Sequence, residues 1–88
     1  MNRPFNDQPI EILIDQNLLQ EGTILDLRLK YIGDQGMEYL SQCAKLVNLH
    51  ELKLERNEIT DFGIQALAES TILTSIKSLN LERNSIGD

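Results

Sequence analysis

The chain has 88 residues, 41% of them hydrophobic and 25% charged, which is an ordinary composition for one small soluble domain. Its formal net charge is −6, and an acidic surface repels phosphate groups, so neither nucleic acid nor a membrane is an expected partner. The only cysteine is Cys43 and the only histidine is His50. These counts exclude an internal disulfide and a Cys/His zinc cluster, and no metal or cofactor is predicted.

The first nine residues are polar and contain both prolines of the chain. They predict a loose leader at residues 1–9, without the apolar stretch of a secretory signal. The longest apolar runs are too short to cross a bilayer. If Met1 is the native start, these features and the single cysteine indicate a cytoplasmic protein.

The next segment, residues 10–21, begins with apolar side chains that alternate with polar ones. Ile12 and Ile14 are two residues apart, and Asn17 follows. The alternation predicts a strand with its apolar side chains inward, closed by an Asn turn. Too few residues remain before the next strand for a helix to intervene. We interpret the segment as a shortened first repeat that caps one end of a stack.

A repeat of 27 residues organises the rest of the chain. Residues 49–61, LHELKLERNEITD, return at 76–88 as IKSLNLERNSIGD, with seven of 13 positions identical. A fixed period of this length is the sequence signature of a solenoid. The predicted units are a repeat at 22–48, a second at 49–75 and an incomplete one at 76–88.

Each full repeat predicts one helix after its strand and turn. Asp34 and Asp61 are predicted helix N-caps, followed by helices at about 35–44 and 62–70. Gly36 and Gly63 fall in the first helical turns. Because glycine is costly inside a helix, its repetition predicts a close backbone approach at these positions.

One turn departs from the pattern, since Lys30 stands where the later units have Asn57 and Asn84. An asparagine side chain can accept and donate hydrogen bonds to the backbone of a turn. A lysine side chain has no acceptor. The substitution predicts that the ladder of asparagine side chains is interrupted at this repeat.

The order strand, Asn turn, Ile-x-Asp-x-x-Gly and a helix ending in Leu-Ala resembles the leucine-rich repeats of the ribonuclease-inhibitor type. The resemblance is fullest in the text LHELKLERNEITDFGIQALAES. It extends well over residues 22–88 and in part over residues 10–21. It implies an α/β fold, a right-handed leucine-rich-repeat solenoid (a horseshoe segment) with a short parallel sheet on the concave face and helices on the convex face. It also implies a non-catalytic protein–protein interaction module, of a kind that some bacteria deliver into host cells.

Parallel strands stack about 4.8 Å apart, so matching positions form rows across the concave face. The side chains in these rows form the predicted partner-binding set. This set is Asp15, Asp26, Arg28, Glu51, Lys53, Glu55, Arg56, Asn80, Glu82 and Arg83. Its centre is acidic and its edge, at Arg56 and Arg83, is basic. A protein partner of unknown identity with basic and apolar groups would suit this surface.

Two alternatives remain open for side chains on or next to this face. The face could be a solvated surface with cross-strand ion pairs, such as Arg28 with Asp15 or Glu55, each contributing under about 1 kcal/mol. Leu29 lies either on the surface or inward, since it continues the alternation of Leu25 and Leu27. An enzyme is not predicted, because paired carboxylates on an open, wet face have no pocket to shift their pKa values.

The incomplete last unit predicts an open end. A strand there would expose a sheet edge and the apolar side chains of Leu79, Leu81 and Ile86. Such edges pair readily with another chain. The alternative function is therefore structural self-assembly, a dimer or a stack formed through this end.

Overall fold

The structure is a computed structural model that describes residues 9–85. Its elements are α1 (Ile10–Asn17), β1 (Leu18–Leu19), β2 (Ile24–Asp26), α2 (Gly33–Ser41), a 3-10 helix (Ala44–Leu46), β3 (Glu51–Lys53), α3 (Asp61–Ala68) and β4 (Ser78–Asn80). The four strands form one sheet in the order β1-β2-β3-β4. Strands β2, β3 and β4 are parallel, and β1 is antiparallel to β2. The fold is therefore α/β with a small, mainly parallel sheet.

The 27-residue period is confirmed by the strand register. Leu25 lies beside Leu52, and Leu52 lies beside Leu79. The side chains of Leu25 and Leu52 are buried on the inner side of the sheet, where Met37 and Leu40 of α2 join the same core. Burial of these aliphatic side chains is the main source of stability in such a small domain.

The predicted helices are confirmed, but both predicted N-caps are wrong. Helix α2 begins after Ile32 and helix α3 begins after Thr60, which places Asp34 and Asp61 inside the first turns. Asp34 caps the neighbouring helix instead of its own. Its Oδ1 accepts the backbone N–H of Thr60 at 2.8 Å and that of Gly63 at 3.0 Å. The carboxylate thus joins two successive repeats by satisfying donors that a helix start leaves unpaired.

The same contacts lower the pKa of Asp34 below its ordinary value of 3.8. The hydroxyl of Thr60 contributes most, the backbone N–H groups of Thr60 and Gly63 add to it, and burial opposes it. A lowered pKa means that the folded state favours the charged carboxylate. This stabilisation is present at neutral pH and is lost as the pH falls below 3.8 through the lowered pKa.

The close approach predicted at the repeated glycines is confirmed. A Cβ atom on Gly63 would lie 2.6 Å from Oδ1 of Asp34 and 2.7 Å from Cγ2 of Ile59. A Cβ atom on Gly36 would lie 2.5 Å from Cβ of Ile32. Because Gly63 has no side chain, the carboxylate of Asp34 can reach the start of α3. Glycine at this position therefore makes the contact between the two repeats possible.

The strand predicted at the start of residues 10–21 is wrong, because this segment forms α1. Leu13 and Ile14 are buried in the core, whereas Ile12 is 42% exposed. The turn between β1 and β2 spans residues 20–23 only, which permits an antiparallel pair and not a parallel crossover. The residues before β1 then bury their apolar side chains at helical spacing.

Asn57 links two successive turns through its buried side chain. Its Oδ1 accepts the backbone N–H groups of Lys30 at 3.1 Å and Ile32 at 3.2 Å. Its Nδ2 donates to the carbonyl oxygens of Leu27 at 2.7 Å and Glu55 at 3.2 Å. Three of these four groups belong to the preceding repeat, so the asparagine stabilises the turn before its own.

Asn84 makes the same kind of contact with the second repeat. Its Oδ1 accepts the N–H of Asn57 at 2.8 Å, and its Nδ2 donates to Leu54 at 2.9 Å. The interruption predicted at Lys30 is therefore wrong, because the ladder begins at Asn57. No equivalent turn precedes Lys30: Asn17 ends α1 and donates to Leu13 within that helix.

Candidate functional site

The predicted rows exist on the outer side of the sheet, which we call the strand face. Asp26, Lys53 and Asn80 lie side by side in the register of β2, β3 and β4. The strand face consists of Ile24, Asp26, Glu51, Lys53, Ser78 and Asn80, with Glu55 and Glu82 beyond the strand ends. The 27-residue period therefore brings most of the predicted partner-binding set onto one surface.

The ladder of backbone hydrogen bonds continues past the strands into the turns. The N–H of Leu29 donates to Glu55 at 3.0 Å, and that of Arg56 donates to Glu82 at 3.1 Å. Leu29, Arg56 and Arg83 thus occupy equivalent positions in three adjacent turns, and we call them the turn column. All three have left-handed backbones, with φ near +60°. Leu29 is 51% exposed, so the inward alternative for its side chain is wrong.

The ion pairs differ from those predicted, because they run along the strands and not across them. Arg28 pairs with Asp26 of its own strand segment at 2.8 Å, and Lys53 approaches Glu51 at 3.7 Å. The guanidinium of Arg28 holds the pKa of Asp26 below its usual range through direct hydrogen bonds. A cross-strand pair between Arg28 and Glu55 is not formed in the described chain.

Asp15 does not join the rows, which corrects its place in the predicted set. It lies on α1, and its carboxylate pairs with Lys45 of the 3-10 helix. Both side chains are more than half exposed, so the pair contributes little to stability. The correction follows from the helical conformation of α1, which removes the first strand of each predicted row.

Glu55 carries an unusual atom on the strand face. Its Oε1 is buried and has no hydrogen-bond partner within residues 9–85. A buried polar atom without a partner costs about 1–3 kcal/mol, so native structures contain few of them. The carboxylate of Glu55 therefore has incomplete hydrogen bonding among the described residues, although the residue itself is only half-buried.

A hollow of about 270 Å³ borders the strand face beside the first member of the turn column. It is lined by Asn17, Asp26, Arg28, Leu29 and Lys30. Sequence reasoning missed it, because its wall is formed where α1 ends, and α1 was predicted as a strand. The signal for the helix was present in the spacing of Ile10, Leu13 and Ile14, which is i, i+3, i+4.

On the helix side, a wider cavity of about 520 Å³ lies between the ends of α2 and α3. Two of its three hydroxyl groups have structural roles, since Ser41 donates to the carbonyl of Glu38 and Ser70 to that of Ser41. In the described ranges, no cluster of three or more His, Cys, Asp or Glu side chains could hold a metal ion. No helix within residues 9–85 is long and apolar enough to cross a membrane.

The C-terminal end of the sheet leaves core positions partly open. Leu79 is 41% exposed, although Leu52 at the same position of the previous repeat is fully buried. Ile64 and Leu67 are half-buried, whereas their counterparts Met37 and Leu40 are fully buried. Leu81 of the predicted edge is partly buried against the core, and Ile86 lies outside the described residues.

The comparison with protein families agrees with this repeated geometry. A family model described as Leucine Rich repeat matches residues 45–68 and 73–88. These two segments together make up 40 of the 88 residues and are similar to leucine-rich repeats. Neither a curated protein nor a solved structure matches it.

The two matched segments contain β3, the turn with Asn57, α3 and β4. They include two of the three strands of the strand face and two of the three members of the turn column, whereas β2 and Leu29 lie outside them. Leucine-rich repeats are in general non-enzymatic modules that mediate protein–protein interactions. The matched segments thus carry part of the candidate surface.

Proposed function

We propose that this chain is a non-catalytic protein-binding module that recognises its partner through the strand face. The observation that carries the proposal is Glu55, whose Oε1 lies buried on this face without a hydrogen-bond partner among the described residues. A lysine, arginine or amide group of a partner would supply the missing donor once rotation of the half-buried side chain brings this oxygen to the surface. The rows of polar side chains on neighbouring strands would then determine how the partner aligns along the strand face.

The same proposal includes the finer architecture. We infer a segment of a right-handed horseshoe of the ribonuclease-inhibitor type, with the strand face concave and α2 and α3 on the convex side. The constant 27-residue register and one helix after each of β2 and β3 support this inference. A concave face offers a partner several adjacent strands at once, which suits recognition without catalysis.

The strand face is tested by exchanging two of its charges without changing the net charge. Peptides are first selected from a displayed random library with the folded chain. Binding is then measured by titration calorimetry for the variant with Lys53→Glu and Glu55→Lys. We expect a loss of at least about tenfold, because the exchange replaces the free acceptor by a cation and removes the neighbouring one.

The matched control exchanges the charges of Glu38 and Lys45, both exposed and outside the strand face. Glu38→Lys with Lys45→Glu should change affinity by less than about twofold, as expected of exposed charges remote from the contact. If the peptides bind the strand-face variant with unchanged affinity and bind the control variant more weakly, the binding site lies on the helix side. That result would overturn the proposal.

A second candidate function is self-association through the C-terminal end, favoured by the exposure of Leu79 at an otherwise buried core position. Strand β4 has one neighbour in the sheet, β3. Two copies could pair their β4 edges antiparallel about a two-fold axis and cover Ile64 and Leu67 of each. Such an interface uses the same surface on both copies and therefore closes at a dimer.

Light scattering over a wide concentration range tests this candidate. The proposed dimer predicts twice the monomer mass at high concentration and a return to monomer with Leu79→Gln. Leu29→Gln is the control, since Leu29 has similar exposure but lies in the turn column. A monomeric mass at every concentration, or equal effects of the two substitutions, would exclude assembly through β4.

A further inference from the structure

The turn column contains two exposed arginines, Arg56 and Arg83. Within residues 9–85 neither Arg56 nor Arg83 forms an ion pair, and both are exposed. The hydrogen bond from the N–H of Arg56 to Glu82 fixes their backbones in adjacent turns, about 4.8 Å apart. Their guanidinium groups are carried by exposed side chains that start from adjacent turns, so both can reach the same anionic ligand.

The backbone at both positions is one that arginine adopts at a cost. φ is +58° at Arg56 and +62° at Arg83. A left-handed conformation costs a side-chain-bearing residue roughly 1–2 kcal/mol relative to glycine. Leu29, Tyr31 and Glu58 share this conformation, so it belongs to the repeated turn. What differs along the turn column is the side chain, which is apolar at Leu29 and cationic at Arg56 and Arg83.

The third member of the turn column adds an apolar contact at one end. Leu29 has the same conformation and is half exposed, and it borders the 270 Å³ hollow at the edge of the strand face. The column therefore presents one apolar position followed by two cationic ones. A matching ligand carries one apolar group and then two anionic groups at similar spacing.

The spacing favours a helix as this ligand. The column spans two strand separations, about 9.6 Å. Side chains at i, i+4 and i+7 of an α-helix lie on one face and span about 10.5 Å. Alternate side chains of an extended segment would span about 13 Å over the same three positions. The helical spacing therefore matches the column more closely.

We propose that the turn column binds an acidic helical segment of a protein partner. An apolar side chain packs on Leu29 and into its hollow, and carboxylates at i+4 and i+7 accept hydrogen bonds from Arg56 and Arg83. The proposal rests on the protein-binding function above and adds that the partner carries an acidic segment as well as basic groups. Basic groups meet Glu55 on the strand face, and acidic groups meet the turns at its edge.

Nearby carboxylates limit the approach of this helix. Glu55 and Glu82 precede the two arginines in sequence, and Glu58 follows Arg56 by two residues. A helix centred on the strand face would place its acidic groups against Glu55 and Glu82. The attraction is greatest at the turns, so the helix lies along the edge of the sheet.

The probe is a short helical peptide with leucine at i and glutamates at i+4 and i+7, set in alanine and glutamine. Binding is measured by NMR titration of the isotope-labelled 88-residue chain. We expect shifts at the Nε–H signals of Arg56 and Arg83. Arg56→Gln and Arg83→Gln should each weaken binding about tenfold, because a charge-assisted hydrogen bond contributes at least that much. Lys77→Gln removes an equal charge outside the column and should change affinity by less than about twofold.

The outcomes that overturn the proposal are distinct from those that overturn the strand face. Equal losses with Lys77→Gln and Arg83→Gln would mean attraction by general charge. Tighter arginine-dependent binding of single-stranded DNA or anionic vesicles would assign the column to another ligand class. If the peptide shifts only the signals of Lys53 and Asn80, the proposal for the turn column is rejected and the proposal for the strand face is kept. If the strand-face exchange leaves the affinity of the library peptides unchanged while the turn column binds the helical probe, the proposal for the strand face is rejected and the proposal for the turn column is kept.

Discussion

Replacement of Asn57 by alanine is expected to destabilise the chain by roughly 3–6 kcal/mol, because several backbone groups lose their only side-chain partner. The side chain of Asn57 is fully buried, so water cannot replace it. The N–H of Ile32 and the carbonyl of Leu27 would remain buried and unpaired. Since small domains have only about 5–15 kcal/mol of stability, the variant should unfold at much lower urea concentration or be unfolded in buffer.

Two further substitutions make this prediction testable even if the Asn57 variant does not fold. Asn84→Ala removes the same kind of contacts at a partly exposed position and should lower the free energy of unfolding by about half as much. Lys30→Asn should change it by less than about 0.5 kcal/mol, because within residues 9–29 no equivalent Asn-type turn stacks beside it to receive the side chain. Equal effects at Asn57 and Asn84, or a large gain at Lys30, would contradict the role of asparagine between successive turns.

Replacement of Leu52 by alanine should cost about 2–5 kcal/mol, measured as the change in free energy of unfolding in urea. Its side chain is fully buried between repeats that cover it on both sides. Removal of three carbon atoms loses apolar burial and leaves a cavity that the flanking repeats cannot close. Both terms add to the cost at this position.

The matched substitution is Leu79→Ala, at the same register position one repeat later. Leu79 has a neighbouring strand on one side only, and its loss should cost about 1 kcal/mol, in proportion to its smaller burial. Because both substitutions replace leucine by alanine, any difference in their cost comes from the position of the residue in the stack. Similar costs for Leu52→Ala and Leu79→Ala at a protein concentration where light scattering finds a dimer, and a smaller cost at Leu79 where it finds a monomer, would support self-association through β4.

The parallel register and the helices were predictable because they depend on contacts that recur. A leucine pair, an asparagine and a glycine at constant offsets require the same surroundings in each unit. The matching of residues 49–61 with 76–88 therefore predicts that Leu52 and Leu79 are neighbours. The predicted rows of the strand face follow from this alignment alone.

Contacts between repeats were predicted with the right residue types and the wrong partners. Asp34 was expected to cap its own helix and caps α3, and Asn57 was expected to close its own turn and mainly bonds the previous one. A carboxylate or amide satisfies any backbone group within reach. Which group is nearest depends on how successive units stack, and the spacing of residues within one unit contains no information on that distance.

The sequence was sufficient for everything that repeats: the 27-residue period, the strand–turn–helix order and the alignment of polar side chains on one face. The ends of the stack depended on tertiary structure. Residues 10–17 alternate like a strand, yet they form a helix because β1 pairs antiparallel with β2 and leaves Leu13 and Ile14 to cover the exposed core. A terminal unit has a neighbour on one side only. Its conformation is therefore set by the surface it must cover, and a local pattern shared with the inner repeats does not specify that surface.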